Sequence, residues 1–131
     1  MDWTKHAIEV PELFSSQARA FEQCVVAGPL IFVSGQGGWI RGVGLVSPEL
    51  AQQVRQTFAN IRAALHAAGA DLEDLVSMTV YLTDPRHMEP FIVARREILQ
   101  GSLPTSTMVA VDKLYAPDML VEISAIAVRS S

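Results

Sequence analysis

Apolar positions recur along this chain with two different periods, and the changes of period mark its elements. Residues 21–26 and 30–34, within "FEQCVVAGPLIFVSGQGGW", read as two short strands joined by a tight turn at Ala27, Gly28 and Pro29. The next ten residues, "GQGGWIRGVG", contain five glycines and read as a loop. Ser47, Pro48 and Glu49 then announce a helix: a hydroxyl cap, a proline in the first turn and an acid at the positive end of the dipole. Leu50, Val54, Phe58, Ile61, Leu65 and Ala68 follow at spacings of three and four, forming one apolar stripe that stops at Gly69. The period returns to two in "VSMTVYL", where Val76, Met78, Val80 and Leu82 alternate with polar or amphipathic neighbours. Asp84 and Pro85 open a second helix, with Met88, Phe91, Ile92 and Leu99 expected inward and an end near Gly101. Two strands close the chain: "TSTMVAV" after Pro104 and "MLVEISAIAV" after the loop "DKLYAPD".

The expected order is β-β-α-β-α-β-β, with a short extra strand near residues 6–10. A single α/β (α+β) domain over residues 1–131 follows, with a mixed sheet and two helices packed on one face. The terminal strand is apolar on both of its alternating faces, so the sheet face away from the helices needs a cover, which points to neighbouring subunits.

Composition narrows the possibilities. Half of the 131 residues are hydrophobic and 18% are charged, which suits one globular core. A formal net charge of -4 gives no general attraction to nucleic acid or anionic membranes. One cysteine, Cys24, excludes an internal disulfide. The first residues lack the pattern of a secretory signal, and the longest apolar run, "CVVAGPLIFV", is too short to span a bilayer. The expectation is a soluble cytoplasmic protein.

Candidate chemistry is sparse. The glycine cluster has neither the Lys-Ser/Thr of a P-loop nor a third dinucleotide-fingerprint glycine. Cys24 has no recognisable base among His6, His66 and His87, and reads as a buried structural thiol. His, Cys, Asp and Glu show no metal-ligand spacing, so no metal is expected. Arg41, Arg86, Arg95 and Arg96 lack the interleaved aromatics of an RNA platform and read as solvated charges. Glu122 stands apart. A carboxylate among buried apolar residues must be paired, hydrogen-bonded or held protonated. A structural ion pair and a proton-transfer role both remain open for it.

"FVSGQ", "NIRAALHAAGADLEDLVSMTVYLTD", "LPTSTMVAVDKL" and "VEISAIAV" together resemble the YjgF/RidA family, also called endoribonuclease L-PSP, in order and spacing from about Phe21 to Val128. The resemblance implies a chorismate-mutase-like fold and a homotrimer with small-molecule clefts between subunits. It also implies cofactor-free hydrolysis of reactive enamine or imine intermediates to 2-keto acids and ammonia. The family glutamate, thought to position or activate the attacking water, falls on Glu122. The serine and glycine of the "SGQ" turn fall on Ser34 and Gly35, and a cysteine whose backbone faces the ligand falls on Met108. Three positions depart: the family tyrosine is Phe21, the helix asparagine is Ile92, and the arginine of "P-x-R-S" is Ser106. A serine cannot reproduce the bidentate grip of a guanidinium on a carboxylate, and losing such a contact removes roughly 2–5 kcal/mol. The resemblance therefore implies a deaminase-like hydrolase on a substrate other than a simple 2-imino acid, with Arg41 as a possible replacement cation. The alternatives are a non-catalytic binding or regulatory trimer and, less in keeping with the acidic charge, a ribonuclease or translation inhibitor.

Overall fold

The computed structural model describes residues 2–130. Eight strands, β1 (Lys5–Ala7), β2 (Cys24–Ala27), β3 (Leu30–Gln36), β4 (Trp39–Ile40), β5 (Gly44–Leu45), β6 (Leu75–Leu82), β7 (Thr105–Ala110) and β8 (Val121–Val128), accompany two helices, α1 (Leu50–Ala67) and α2 (Met88–Ile98). Six strands form one sheet in the order β1-β2-β3-β8-β6-β7, and β4 and β5 form a separate small hairpin inside the expected glycine loop. All pairs in the large sheet are antiparallel except β6 with β7, which are parallel and linked through α2.

The alternation that predicted the strands also sorts their two faces. Val121, Ile123, Ala125 and Ala127 of β8 are buried, together with Met78, Val80 and Leu82 of β6 and Ile31 and Val33 of β3. Val54, Phe58, Ile61 and Leu65 of α1 and Phe91 of α2 belong to the same core, so both helices cover this face. The opposite face carries Phe32, 40% exposed, with Val128 and Val109 also exposed and Val25 and Ile126 only half-buried. That face is apolar and uncovered within one chain.

Several boundaries differ from the sequence expectation for identifiable reasons. Phe21 lies before the strand that begins at Cys24, because Ser16 Oγ donates to its carbonyl and holds the segment in a turn. Gly28 turns β2 into β3 at φ +59°, in the left-handed region where a Cβ would be strained. Val76 is exposed rather than inward: an extra residue between Leu75 and Ser77 breaks the pairing with β8 and reverses the alternation there. Met88 is also exposed, since Asp84 caps a separate turn over Pro85–His87 by accepting from the Arg86 amide. Helix α2 starts only after that turn, and Leu99 is buried just beyond its end.

Two buried amides fasten the loops to α1. Gln53 donates to the carbonyls of Ser47 and Asp118 and accepts from the Leu120 amide, at 2.8–2.9 Å. Asn60 donates to the carbonyls of Gly37 and Trp39 at 3.0 and 2.8 Å. Such fully used buried amides fix backbone that has no ladder of its own. Cys24 is buried, and its thiol is pushed up to about 11 by that burial, as expected of a structural cysteine.

Candidate functional site

Glu122 lies on the uncovered face of β8, level with Tyr81 of β6. Burial alone raises its carboxyl above the usual carboxylate range. Among the described residues its carboxylate has no hydrogen-bond or ion-pair partner, so the salt-bridge alternative for Glu122 finds no support within one chain. It sits instead against Gly35: a Cβ on that glycine would be 2.7 Å from Glu122 Oε2 and 2.9 Å from Cδ.

The approach is made by a bulge. Between Val33 and Gln36, β3 advances three residues while β8 advances two, from Ala125 to Ile123. The extra residue turns Ser34 and Gly35 out of the regular pleat. Ser34 Oγ donates to the Glu22 carbonyl at 2.6 Å, its amide donates to Gln23 O, and Gln36 donates to Gln23 Oε1 at 2.8 Å. These bonds hold Glu22 and Gln23, which follow Phe21 in the chain, against Ser34 and Gln36. Of the residues singled out in the sequence, the structure thus sets Gly35 against Glu122, with Ser34 beside them in the bulge.

Sequence reasoning passed over three aromatic and basic neighbours. Tyr115 stacks on Trp39 with ring centroids 6.2 Å apart. Its hydroxyl is held above the ordinary tyrosine value by burial and by the nearby Glu122 carboxylate, with Arg19 acting in the opposite direction. Arg19, Trp39, Arg41 and Tyr115 share a cavity of about 690 Å³. These residues come from loops, one short turn and the two-residue strand β4, all too short for a period to mark them. Arg41 spends its Nη1 on the carbonyls of Pro11 and Leu13, at 2.8 and 3.1 Å, which commits it to holding the N-terminal segment.

Ser106 and Met108 form a second group. In the parallel register Ser106 lies beside Met78 and Met108 beside Val80, so both side chains project toward the helices. Met108 packs against the core. Ser106 accepts a 2.8 Å hydrogen bond from Arg95 Nη1 of α2, and Ile92 lines the same small cavity. Arg95 was read from the sequence as a solvated charge. The signal that could have flagged it is its i, i+4 spacing from Phe91, over whose ring its guanidinium sits at 5.0 Å.

The two groups are apart within one chain. Glu122 is level with Tyr81 and hence with Val109, two strands away, and Ser106 is three residues back toward the start of β7. At ~4.8 Å per strand and ~3.3 Å per residue the separation is roughly 14 Å, and the two side chains occupy opposite faces.

A mixed six-stranded sheet with two helices on one face defines a class of small α+β proteins. A sequence model of the family described as Endoribonuclease L-PSP matches residues 14–129. The RutC family protein YjgH of Escherichia coli is 35% identical over 107 residues, covering 80% of this chain and 81% of the relative. The putative reactive intermediate deaminase TdcF of Escherichia coli is 32% identical over 114 residues, covering 85% of this chain and 88% of that one. The crystal structure of TdcF with bound serine superposes with a TM-score of 0.84 at 30% identity, covering 95% of this chain and 99% of that chain. The chain belongs to the endoribonuclease L-PSP family, the YjgF/RidA family of its sequence resemblance. Among the described residues no helix is long and apolar enough to cross a membrane, and no cluster of three His, Cys, Asp or Glu could hold a metal ion.

Proposed function

We propose that this protein is a Rid-type deaminase that hydrolyses a reactive imine or enamine in clefts between the subunits of a homotrimer. The observation that carries the reading is Glu122: a half-buried carboxylate with no protein partner among the described residues, raised in pKa and fixed against Gly35. Such a group is suited to take a proton from water near neutral pH. Water then adds its oxygen to the C=N carbon, the proton passes to nitrogen, and collapse to C=O expels ammonia. Tyr115, close to Glu122, offers a phenol where Phe21 has none.

Two features of one chain support assembly with neighbouring subunits. The face bearing Phe32, Val109 and Val128 is apolar and exposed. The Glu122 group and the Ser106 group lie roughly 14 Å apart on opposite faces, too far to hold one small molecule unless a second subunit supplies the missing half. Ser106 brings no charge of its own, so a cation for a substrate carboxylate has to come from another element. A non-catalytic binding trimer is the second reading, favoured by the fact that a relative, TdcF, has been crystallised with serine bound.

Light scattering should give about three times the 14.3 kDa of one chain. Ammonia release from imines generated in situ by an amino acid oxidase, compared between the wild type and Glu122→Gln, tests the chemistry. Equal rates in the two would refute the role of Glu122. A wild type that binds such compounds without accelerating ammonia release would leave the binding trimer as the function.

A further inference from the structure

We infer that the cavity between the C-terminal half of α2 and the start of β7 is a binding site for the carboxylate of a short apolar acid, with Arg95 as its cation. The inference rests on the reading of Ser106 as part of the substrate cleft and names the ligand class that cleft takes. The cavity has a volume of about 210 Å³, and Ile92, Leu99, Leu103 and Pro104 give it apolar walls. This lies below the roughly 300–1,000 Å³ of pockets that enclose drug-sized ligands, and suits a molecule of a few carbons.

Three features make the polar end specific for an anion. First, the Arg95 guanidinium is positioned on two sides, by the Phe91 ring beneath it and by Ser106 Oγ at 2.8 Å. Only one of its N–H groups goes to that hydroxyl, and the planar fork keeps others for a carboxylate. Second, its charge is uncompensated. Arg62 and Arg86 each pair with an aspartate, whereas among the described residues no carboxylate lies within ion-pair distance of Arg95. Burial lowers the Arg95 pKa, yet a guanidinium stays charged at neutral pH, so an entering anion meets a ready cation. Third, because Ser106 Oγ accepts from Arg95, its own proton is free to be donated to the ligand. Arg96 lines the same cavity and adds a second positive charge. The apolar walls favour a monocarboxylate with a hydrocarbon tail over inorganic phosphate, which would leave its remaining oxygens without donors.

The chain thus has a guanidinium beside Ser106, but delivered by a helix rather than by β7 itself.

The experiment titrates the full-length protein with sodium butanoate, butanamide and inorganic phosphate, following backbone and arginine side-chain NMR signals. Butanoate should shift the signals of Arg95, Leu103 and Ser106, while butanamide and phosphate should bind more weakly. Arg95→Met, which keeps the stem and removes the charge, should weaken butanoate binding by about tenfold or more, the usual effect of losing a hydrogen bond to a charged group. Arg86→Met, at an arginine paired with Asp84 outside this cavity, should bind butanoate as the wild type does. No shift at these residues in the wild type, phosphate binding tighter than butanoate, or unchanged affinity in Arg95→Met would each overturn the proposal. The wild-type shift map decides even if Arg95→Met fails to fold. The outcome is separable from the deaminase reading: charge-dependent butanoate binding without imine turnover retains this site and rejects catalysis. Turnover indifferent to Arg95→Met does the reverse.

Discussion

Replacing Gly35 by alanine adds one methyl group at the point where the bulge of β3 meets Glu122. That carbon would stand 2.7 Å from Oε2, 2.9 Å from Cδ and 3.2 Å from Cγ of Glu122. Carbon prefers about 3.5–4.0 Å from its neighbours, so the carboxylate must retreat by about 0.8 Å or swing to another rotamer. The obstructing atoms are the far end of a flexible, half-buried side chain, which makes the adjustment cheap for the fold. A destabilisation of about 1 kcal/mol or less is expected, a fall of about 3–5 °C in melting temperature. Catalysis is less forgiving, because a displacement of about 1 Å at a reacting group costs about 100-fold in rate. Thermal melts and ammonia release on Gly35→Ala should therefore separate, with a near-native melt and a rate reduced about 100-fold. The same substitution in a Glu122→Ala background should cost nothing in stability, since the clashing atoms are gone. Wild-type rates in Gly35→Ala would refute the argument, as would an equal loss of stability in both backgrounds.

The pH dependence of Glu122 has a defined sign. Its folded pKa is raised, so above the unfolded pKa the native chain holds its proton more tightly, and stability falls as pH rises through the window from the unfolded to the folded value. Melts of Glu122→Gln should lose that fall, gaining on the wild type as pH rises above the unfolded value of about 4. Imine turnover by the wild type should rise over the same window as the carboxylate ionises. A large destabilisation of Glu122→Gln at neutral pH, of about 3–5 kcal/mol, would instead reveal a buried ion pair with another subunit. Arg41→Ala removes the donor to the Pro11 and Leu13 carbonyls, and should destabilise by about 1–3 kcal/mol with butanoate affinity unchanged. Reduced butanoate affinity would place Arg41 in the cleft after all.

The periodic parts of this chain were legible before folding. The stripe of α1 assigned Val54, Phe58, Ile61, Leu65 and Ala68 to the core, with Leu50 only half-buried, because burial repeats with the element's own geometry. Strand β8, in contrast, read as apolar on both faces, and its buried side shows only in the folded chain. Val76 and the pair Ser34–Gly35 were not legible as bulges, since an extra residue changes which face a side chain occupies without changing composition. Glu122 was found from its incongruity in an apolar strand. Its contact with Gly35 depends on a register between strands far apart in the chain. The bond between Arg95 and Ser106 joins a helix to a strand beyond a loop, and charges on a helix surface look alike until tertiary packing singles one out. Tyr115 and Trp39 lie in segments with no period, where only the folded chain reveals that they stack.

The opposite-face placement of Glu122 and Arg95 carries a consequence for mixtures of defective chains. In the proposed trimer, each cleft would draw its carboxylate from one chain and its guanidinium from the next. Chains bearing Glu122→Gln are then complementary to chains bearing Arg95→Met, although neither kind assembles an intact cleft by itself. When the two are co-expressed, any trimer containing both kinds has one junction at which the unaltered Glu122 of one chain faces the unaltered Arg95 of its neighbour. Two inactive alleles should thus restore partial activity together, and a chain carrying both substitutions should restore none when mixed with either.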